Sequence, residues 1–300
     1  MTHSTPTRTA LVLGGGGSTG NAWLIGVVAG LYDAGLDVTT ADLTVGTSAG
    51  ATAAAQIAGA PAPELFAATV AAAPPQRRGE GGSARGRGPA GAAADHMQKV
   101  RDVIAAAADA ADFRRRMGAA ALEADAASDG AGTARWRATV AARLASTRWP
   151  ERLIQLTAVD ARTGEPVVFD RDSGVDLVDA VAASTAGGGF AYGIGDRRYI
   201  DGGYRTNADN ADLAAGFERV LVIAPLGGVW WTPPEWGTQL ATQVHELRAV
   251  GSLVETIFPD SDAEHLFGAN AMDHSLRPAA ATSGHEQATA LHARLEEFWR

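Results

Sequence analysis

The feature that most constrains the fold is the order of elements before residue 60. Thr9–Leu13 is a short apolar run that ends in four consecutive glycines, Gly14-Gly15-Gly16-Gly17. It reads as a buried strand that stops in a loop. Trp23, Leu24, Val27, Val28 and Leu31 then recur at helical spacing, and Gly35 is placed to stop that helix. Asp42–Val45 reads as a second strand, followed at once by Gly46-Thr47-Ser48-Ala49-Gly50 and an alanine-rich helix over Ala51–Gly59. This alternation predicts an α/β fold: a three-layer α/β/α sandwich around a mostly parallel sheet. A chain of 300 residues is long enough to bury such a core.

Further along, residues 74–94 are rich in Gly, Pro, Ala and Arg and lack large apolar side chains, which predicts a flexible loop. Asp95–Leu144 reads as two or three helices. Arg152–Val159 and Pro166–Asp170 read as strands of a hairpin turning at Thr163–Gly164. Val175–Ala183 has helical spacing, Arg198–Ile200 runs into Asp201-Gly202-Gly203, and Arg219–Ala224 is another buried strand. Helices are expected over Glu235–Phe258 and Glu286–Trp299. Because candidate chemistry lies on both sides of the loop, one catalytic domain over residues 1–300 with a helical insertion is the simpler organisation. Whether residues 95–148 form a lid or a structural insertion stays open.

Composition removes several chemistries. Cysteine is absent, so disulfides, thiolate nucleophiles and Cys-based metal sites are excluded. Lys99 is the only lysine, which argues against a P-loop and a Ser–Lys pair. No His/Glu spacing suggests a metal site, and no cofactor is implied. A net charge of −9 disfavours nucleic acid as a partner. Arg77, Arg78, Arg85 and Arg87, and Arg114–Arg116, read as solvated faces rather than lipid-binding patches. With no stretch near the ~18 apolar residues of a membrane span, the expectation is a cytoplasmic protein.

Gly46-Thr47-Ser48-Ala49-Gly50 matches G-x-S-x-G. A nucleophilic serine needs a tight strand-to-helix turn, with small residues on either side so that strand and helix can approach. Ser48 is therefore the candidate nucleophile, with Gly46 and Gly50 shaping its turn. The glycine loop has two readings. Gly15, Gly17 and Gly20 satisfy G-x-G-x-x-G, which would cradle a dinucleotide pyrophosphate. Alternatively, Gly15, Gly16 and Gly17 aim backbone N–H groups at a developing oxyanion, each donor worth about 3 kcal/mol. The dinucleotide reading wants an acid at the end of the next strand, whereas Asp42 precedes its strand. The neighbouring G-x-S-x-G favours the oxyanion reading. Asp201, followed by two glycines, sits on a sharp turn. Alone it reads as a β-turn aspartate; beside the other two motifs it is a candidate base.

Leu11–Gly20, Gly46–Gly50 and Asp201–Gly203, in this order and spacing, resemble the bacterial patatin-like phospholipases. Arg197–Gly203 into Asn210–Leu213, and Val220–Pro225, add to the resemblance, which is weakest over residues 74–150. It implies a Ser48–Asp201 catalytic dyad, an oxyanion hole at Gly15–Gly17, and hydrolysis of lipid or phospholipid carboxylic esters without a cofactor. Lipid or another acyl ester is the expected partner, with transient contact at a membrane surface; the oligomeric state is open. Two positions depart from the family pattern. Thr19 stands where an Arg or Lys is common, and Gly187-Gly188-Gly189 replaces a segment that often holds proline.

Two alternatives remain. His245, His265, His274 and His285 follow Asp201, so a Ser–Asp–His esterase of α/β-hydrolase type is formally open. The glycine loop also admits a non-enzymatic nucleotide-binding module. Trp230, Trp231 and Trp236 either line an acyl pocket or touch a lipid interface, or they simply pack under a loop.

Overall fold

A computed structural model describes residues 7–72, 89–128 and 130–299. The chain opens with β1 (Thr9–Leu13), α1 (Gly17–Asp33), β2 (Leu43–Gly46), α2 (Ala49–Gly59) and α3 (Ala62–Ala71). Three helices follow: α4 (Pro89–Ala106), α5 (Ala110–Ala126) and α6 (Gly132–Ala141). Then come β3 (Leu153–Asp160), β4 (Pro166–Phe169), α7 (Leu177–Ser184), β5 (Tyr192–Ile194) and β6 (Arg197–Asp201). The chain finishes with β7 (Arg219–Ile223), α8 (Leu240–Ala249), β8 (Leu253–Ile257) and α9 (Arg277–Trp299).

The strands form one sheet in the order β5-β6-β3-β2-β1-β7-β8, with β4 also paired to β3. The run β3-β2-β1-β7-β8 is parallel, and β4, β5 and β6 form an antiparallel flank. The central parallel strands β1, β2 and β7 are buried on both faces, as continuous apolar runs such as Ala10–Leu13 and Val220–Ile223 require.

Alternation along β1 divides the core into layers. Leu11 and Leu13 face α1, α2, α7 and α9. Ala10 and Val12 face α8 and the turn at Ala211–Ala214. On that second face, α4 and α5 cover Val159 and Ile200 with Val100, Ile104, Phe113 and Met117. The result is a three-layer α/β/α sandwich. The helices between α3 and β3 are shared between its faces, because α6 packs through Val140 and Trp136 into the first layer. Helix α1 is enclosed over most of its length: Trp23, Leu24, Val27 and Leu31 are fully buried. It meets α9 so closely that a Cβ on Gly26 would overlap the Ala281 carbonyl.

Three expectations change. The helix expected over 235–258 is instead a 3-10 turn, then α8, then the parallel edge strand β8. Gly251, at φ +100, ends the helix, and the β-branched Val254, Thr256 and Ile257 pair with β7. Helix α9 begins at Arg277, ahead of the expected Glu286, with Pro278 near its start where a missing N–H costs nothing. Of the loop expected over 74–94, residues 74–88 lie outside the described residues, as do Arg77, Arg78, Arg85 and Arg87. From Pro89 onward the chain is helical. The hairpin of β3 and β4 is present, with Gly164 at φ +73 in its turn.

Candidate active site

The parallel strands set the stage. Leu13 of β1 pairs with Gly46 of β2 on one side and with Ile223 of β7 on the other. The glycine loop and the Ser48 turn therefore leave the sheet at the same level, at adjacent strand ends. Ser48 is at φ 52, ψ −111, outside every region that a side chain favours. Such a conformation costs on the order of 1–3 kcal/mol and persists only when its surroundings enforce it. The enforcement is close packing. A Cβ on Gly46 would stand 2.7 Å from Ala51 Cα, and one on Gly50 would overlap the Leu13 carbonyl.

Register also explains how residue 201 reaches residue 48. Gly46 pairs with Leu156 of β3, and two residues further along β3, Ala158 pairs with Asp201 of the antiparallel strand β6. Asp201 thus lies two residues beyond the end of β2, level with Ser48. Ser48 Oγ donates to Asp201 Oδ2 at 2.7 Å. The other carboxylate oxygen, Oδ1, accepts from Gly203 N–H at 2.8 Å, and the Asp201 N–H donates to the Ala186 carbonyl. Burial pushes the Asp201 carboxyl up to about 6, against the opposing pull of the hydrogen bonds from Gly203 and Ser48. Burial, helped by the Asp201 charge, also drives the Tyr204 phenol upward; its hydroxyl bonds His96 Nε2 at 2.8 Å.

A buried polar network joins the two turns. Thr157 Oγ1 donates to Thr47 Oγ1 at 3.0 Å. Asn210 Nδ2 donates to Thr47 Oγ1 and to the Gly202 carbonyl, both at 3.0 Å. Asn210 itself sits in the left-handed region at φ 55, which asparagine tolerates. Ser184 Oγ takes the Ser48 N–H at 3.0 Å. Thr47 and Asn210 fall in stretches already singled out, but Thr157 and Ser184 do not stand out in the sequence. Thr157 is one polar residue in an apolar strand, and Asn210 shows its role only once Gly202 and Thr47 are adjacent.

The glycine loop needs one correction. Gly15 N–H donates to the Ala208 carbonyl at 2.7 Å, and Gly14 N–H to the Ile223 carbonyl at 3.0 Å. The Gly15 amide, expected among three donors, is therefore engaged as a strand-end bond. Gly16 and Gly17, at the start of α1, make no such bond among the described residues. Gly15 still flanks the site, because its Cβ position lies 3.6 Å from Ser48 Cβ. Two free amides at a helix N-terminus, beside a hydroxyl held by a carboxylate, are the elements an acyl-transfer site needs.

Other candidates lie elsewhere. Asp42 accepts from Thr9 N–H at 2.7 Å, at the strand starts and thus at the opposite edge of the sheet from the glycine loop. His265 bonds the Asp262 carbonyl, His274 the Ser18 hydroxyl, and His285 Asp33. His245 is exposed on α8. None of the four bonds Ser48 or Asp201 among the described residues. Trp230 and Trp231 stack at 5.9 Å, Arg101 of α4 covers Trp231, and Trp236 packs against Phe113. Gly188 and Gly189 are at φ +71 and +92, which proline cannot adopt, so the glycine run there is matched to its backbone. Among the described residues no cluster of His, Asp and Glu is arranged to hold a metal ion, and no helix is long and apolar enough to cross a membrane.

Residues 11–214 match the family described as patatin-like phospholipase. Among solved structures, VipD from Legionella pneumophila is similar with a TM-score of 0.46 and 13% identity, over 97% of this chain and 68% of that one. The type III effector protein ExoU is similar with a TM-score of 0.42 and 18% identity, over 98% of this chain and 54% of that one. No curated protein matches the chain by sequence.

Proposed function

Because the chain belongs to the patatin-like phospholipase family, and so is a lipid acyl hydrolase, we propose that it cleaves lipid carboxylic esters with a Ser48–Asp201 dyad. The observation that carries this reading is the 2.7 Å bond from Ser48 Oγ to Asp201 Oδ2 at a strained strand-to-helix turn. Ser48 Oγ attacks the ester carbonyl as its proton passes to Asp201. The Gly16 and Gly17 amides hold the oxyanion. Asp201 returns the proton to the leaving alcohol, and an acyl-enzyme remains. Asp201 then takes a proton from water, the resulting hydroxide attacks the acyl carbonyl, and the fatty acid leaves as Ser48 regains its proton.

Met117, Ala121, Ala186, Phe190 and Ile200 line a void of about 10 Å³, room for about one water, with Tyr204, His96 and Lys99 at its polar end. In this reading α4 is the roof of the site, since it spans from Tyr204 through His96 to Trp231 through Arg101.

The test uses a fluorophosphonate probe and a soluble ester. Wild type should label at Ser48. Ser48→Ala and Asp201→Asn should each lose at least ~10³-fold in turnover with the fold intact, as members of one catalytic unit do. Retention of most activity in either variant defeats the dyad.

A further inference from the structure

The loop that supplies the free amides carries no charged residue from Gly14 to Trp23. Its anchors come instead from residues 271–277, beyond the stretch that matches the family. Thr19 N–H donates to the Ala271 carbonyl at 3.0 Å, and Ser18 Oγ pairs with His274 Nδ1 at 3.0 Å. Arg277 makes the strongest hold. Its Nη1 donates to the Ser18 carbonyl at 2.6 Å, and its Nη2 to Asn21 Oδ1 at 3.1 Å.

We propose that Arg277 is a positioning residue for the oxyanion loop, its guanidinium fixing the Gly16 and Gly17 amides relative to Ser48. Asn21 makes the link. Its amide nitrogen donates to Gln56 Oε1 at 2.9 Å and to the Ala49 carbonyl at 3.4 Å, both on α2. The guanidinium thus ties α9 to the first turn of α1, and Asn21, held by it, carries the link on to α2, which follows the nucleophile. The planar fork suits this task, because two donors reach two separate acceptors in fixed geometry.

The charge also has a direction. The Arg277 acceptors are all neutral, the Ser18 carbonyl, the Asn21 amide oxygen and the Ser18 hydroxyl at 3.4 Å, and among the described residues it bonds no carboxylate. Burial and the neighbouring Arg143 charge both work against keeping a cation there. A cation retained at that cost next to the loop favours negative charge developing at the amides. A purely structural link between two helices needs hydrogen bonds but no positive charge.

The proposal rests on the hydrolase reading above. In the full chain, kcat and KM toward a soluble p-nitrophenyl ester are compared for wild type, Arg277→Ala and Arg277→Lys, with circular dichroism checking the fold. Arg277→Ala should lose about 10²-fold in kcat with KM within about two-fold, the signature of a lost transition-state contact. Added guanidinium ion should restore part of that loss. Arg277→Lys should recover only part of it, because one ammonium cannot reproduce the fork. A folded Arg277→Ala with kcat within about three-fold of wild type overturns the proposal. So does a loss that Arg277→Lys repairs completely. If Arg277→Ala fails to fold, Arg277→Lys decides alone: wild-type kcat overturns the proposal, and a lowered kcat at unchanged KM supports it. Turnover persisting in Ser48→Ala would sink the underlying hydrolase reading instead, which separates the two failures.

Discussion

Asp209 offers a quantitative test of how the site is built. Its side chain is 2% exposed, its Oδ1 has no hydrogen-bond partner, and it presses against Gly14, where a Cβ would overlap that oxygen. Burial alone raises the carboxyl from 3.8 to about 7. The sign follows from proton counting. Below pH 3.8 both folded and unfolded chains hold the proton, so the group costs nothing. Between 3.8 and about 7 the unfolded chain has released it while the folded chain still holds it. Stability is therefore lost as pH rises, and the full penalty is reached above pH 7. Each pH unit in that window is worth about 1.4 kcal/mol. Asp209→Asn removes the titration and keeps the shape. The variant's stability relative to wild type should therefore grow by about 3 kcal/mol between pH 5 and pH 8. Urea unfolding of both proteins at the two pH values measures this, and taking the difference cancels every other titrating group, Asp201 included. A variant-minus-wild-type difference that stays constant, or shrinks as pH rises, refutes the idea of a proton held on a buried, unpaired carboxyl.

Other consequences are equally direct. Because Asp201 must be ionised to accept the Ser48 proton and its carboxyl is pushed up to about 6, kcat/KM should rise with pH through an apparent pKa near 6. A profile already flat at pH 5 would contradict the assignment. Asn210→Leu removes one hydrogen bond each from the Thr47 hydroxyl and the Gly202 carbonyl in a dry interior, and takes the acceptor from Thr206 Oγ1. It should cost about 2–4 kcal/mol in urea unfolding and reduce turnover in whatever folds; a stable, fully active variant would remove the network from the account. Gly50→Ala drives a methyl into the Leu13 carbonyl, a backbone atom that cannot swing aside. It should lower stability by about 3 kcal/mol or more, read as a fall in thermal midpoint, and an unchanged midpoint would show that the turn relaxes more easily than its packing implies.

The sequence reveals the local part of this protein. The strands at 9–13 and 219–223, the glycine stop after β1, the Ser48 turn and the Asp201 turn each follow from a few adjacent residues. Backbone freedom and apolar periodicity act over such short spans, so they can be read from the order of side chains alone. What depends on a distant partner is silent there. Residues 253–257 are strand rather than helix because β7 offers them a parallel edge, and that edge comes from more than thirty residues upstream. The Gly15 amide looks as free as its neighbours until the Ala208 carbonyl arrives beside it. Arg277 has no motif and reveals itself only where α9 lies against α1. The separation of Ser48 and Asp201 is set by two ladder registers on β3, one parallel and one antiparallel. Local chemistry names the reacting groups, but the distances between them belong to the sheet, because hydrogen-bond register is a property of paired strands and of no single strand.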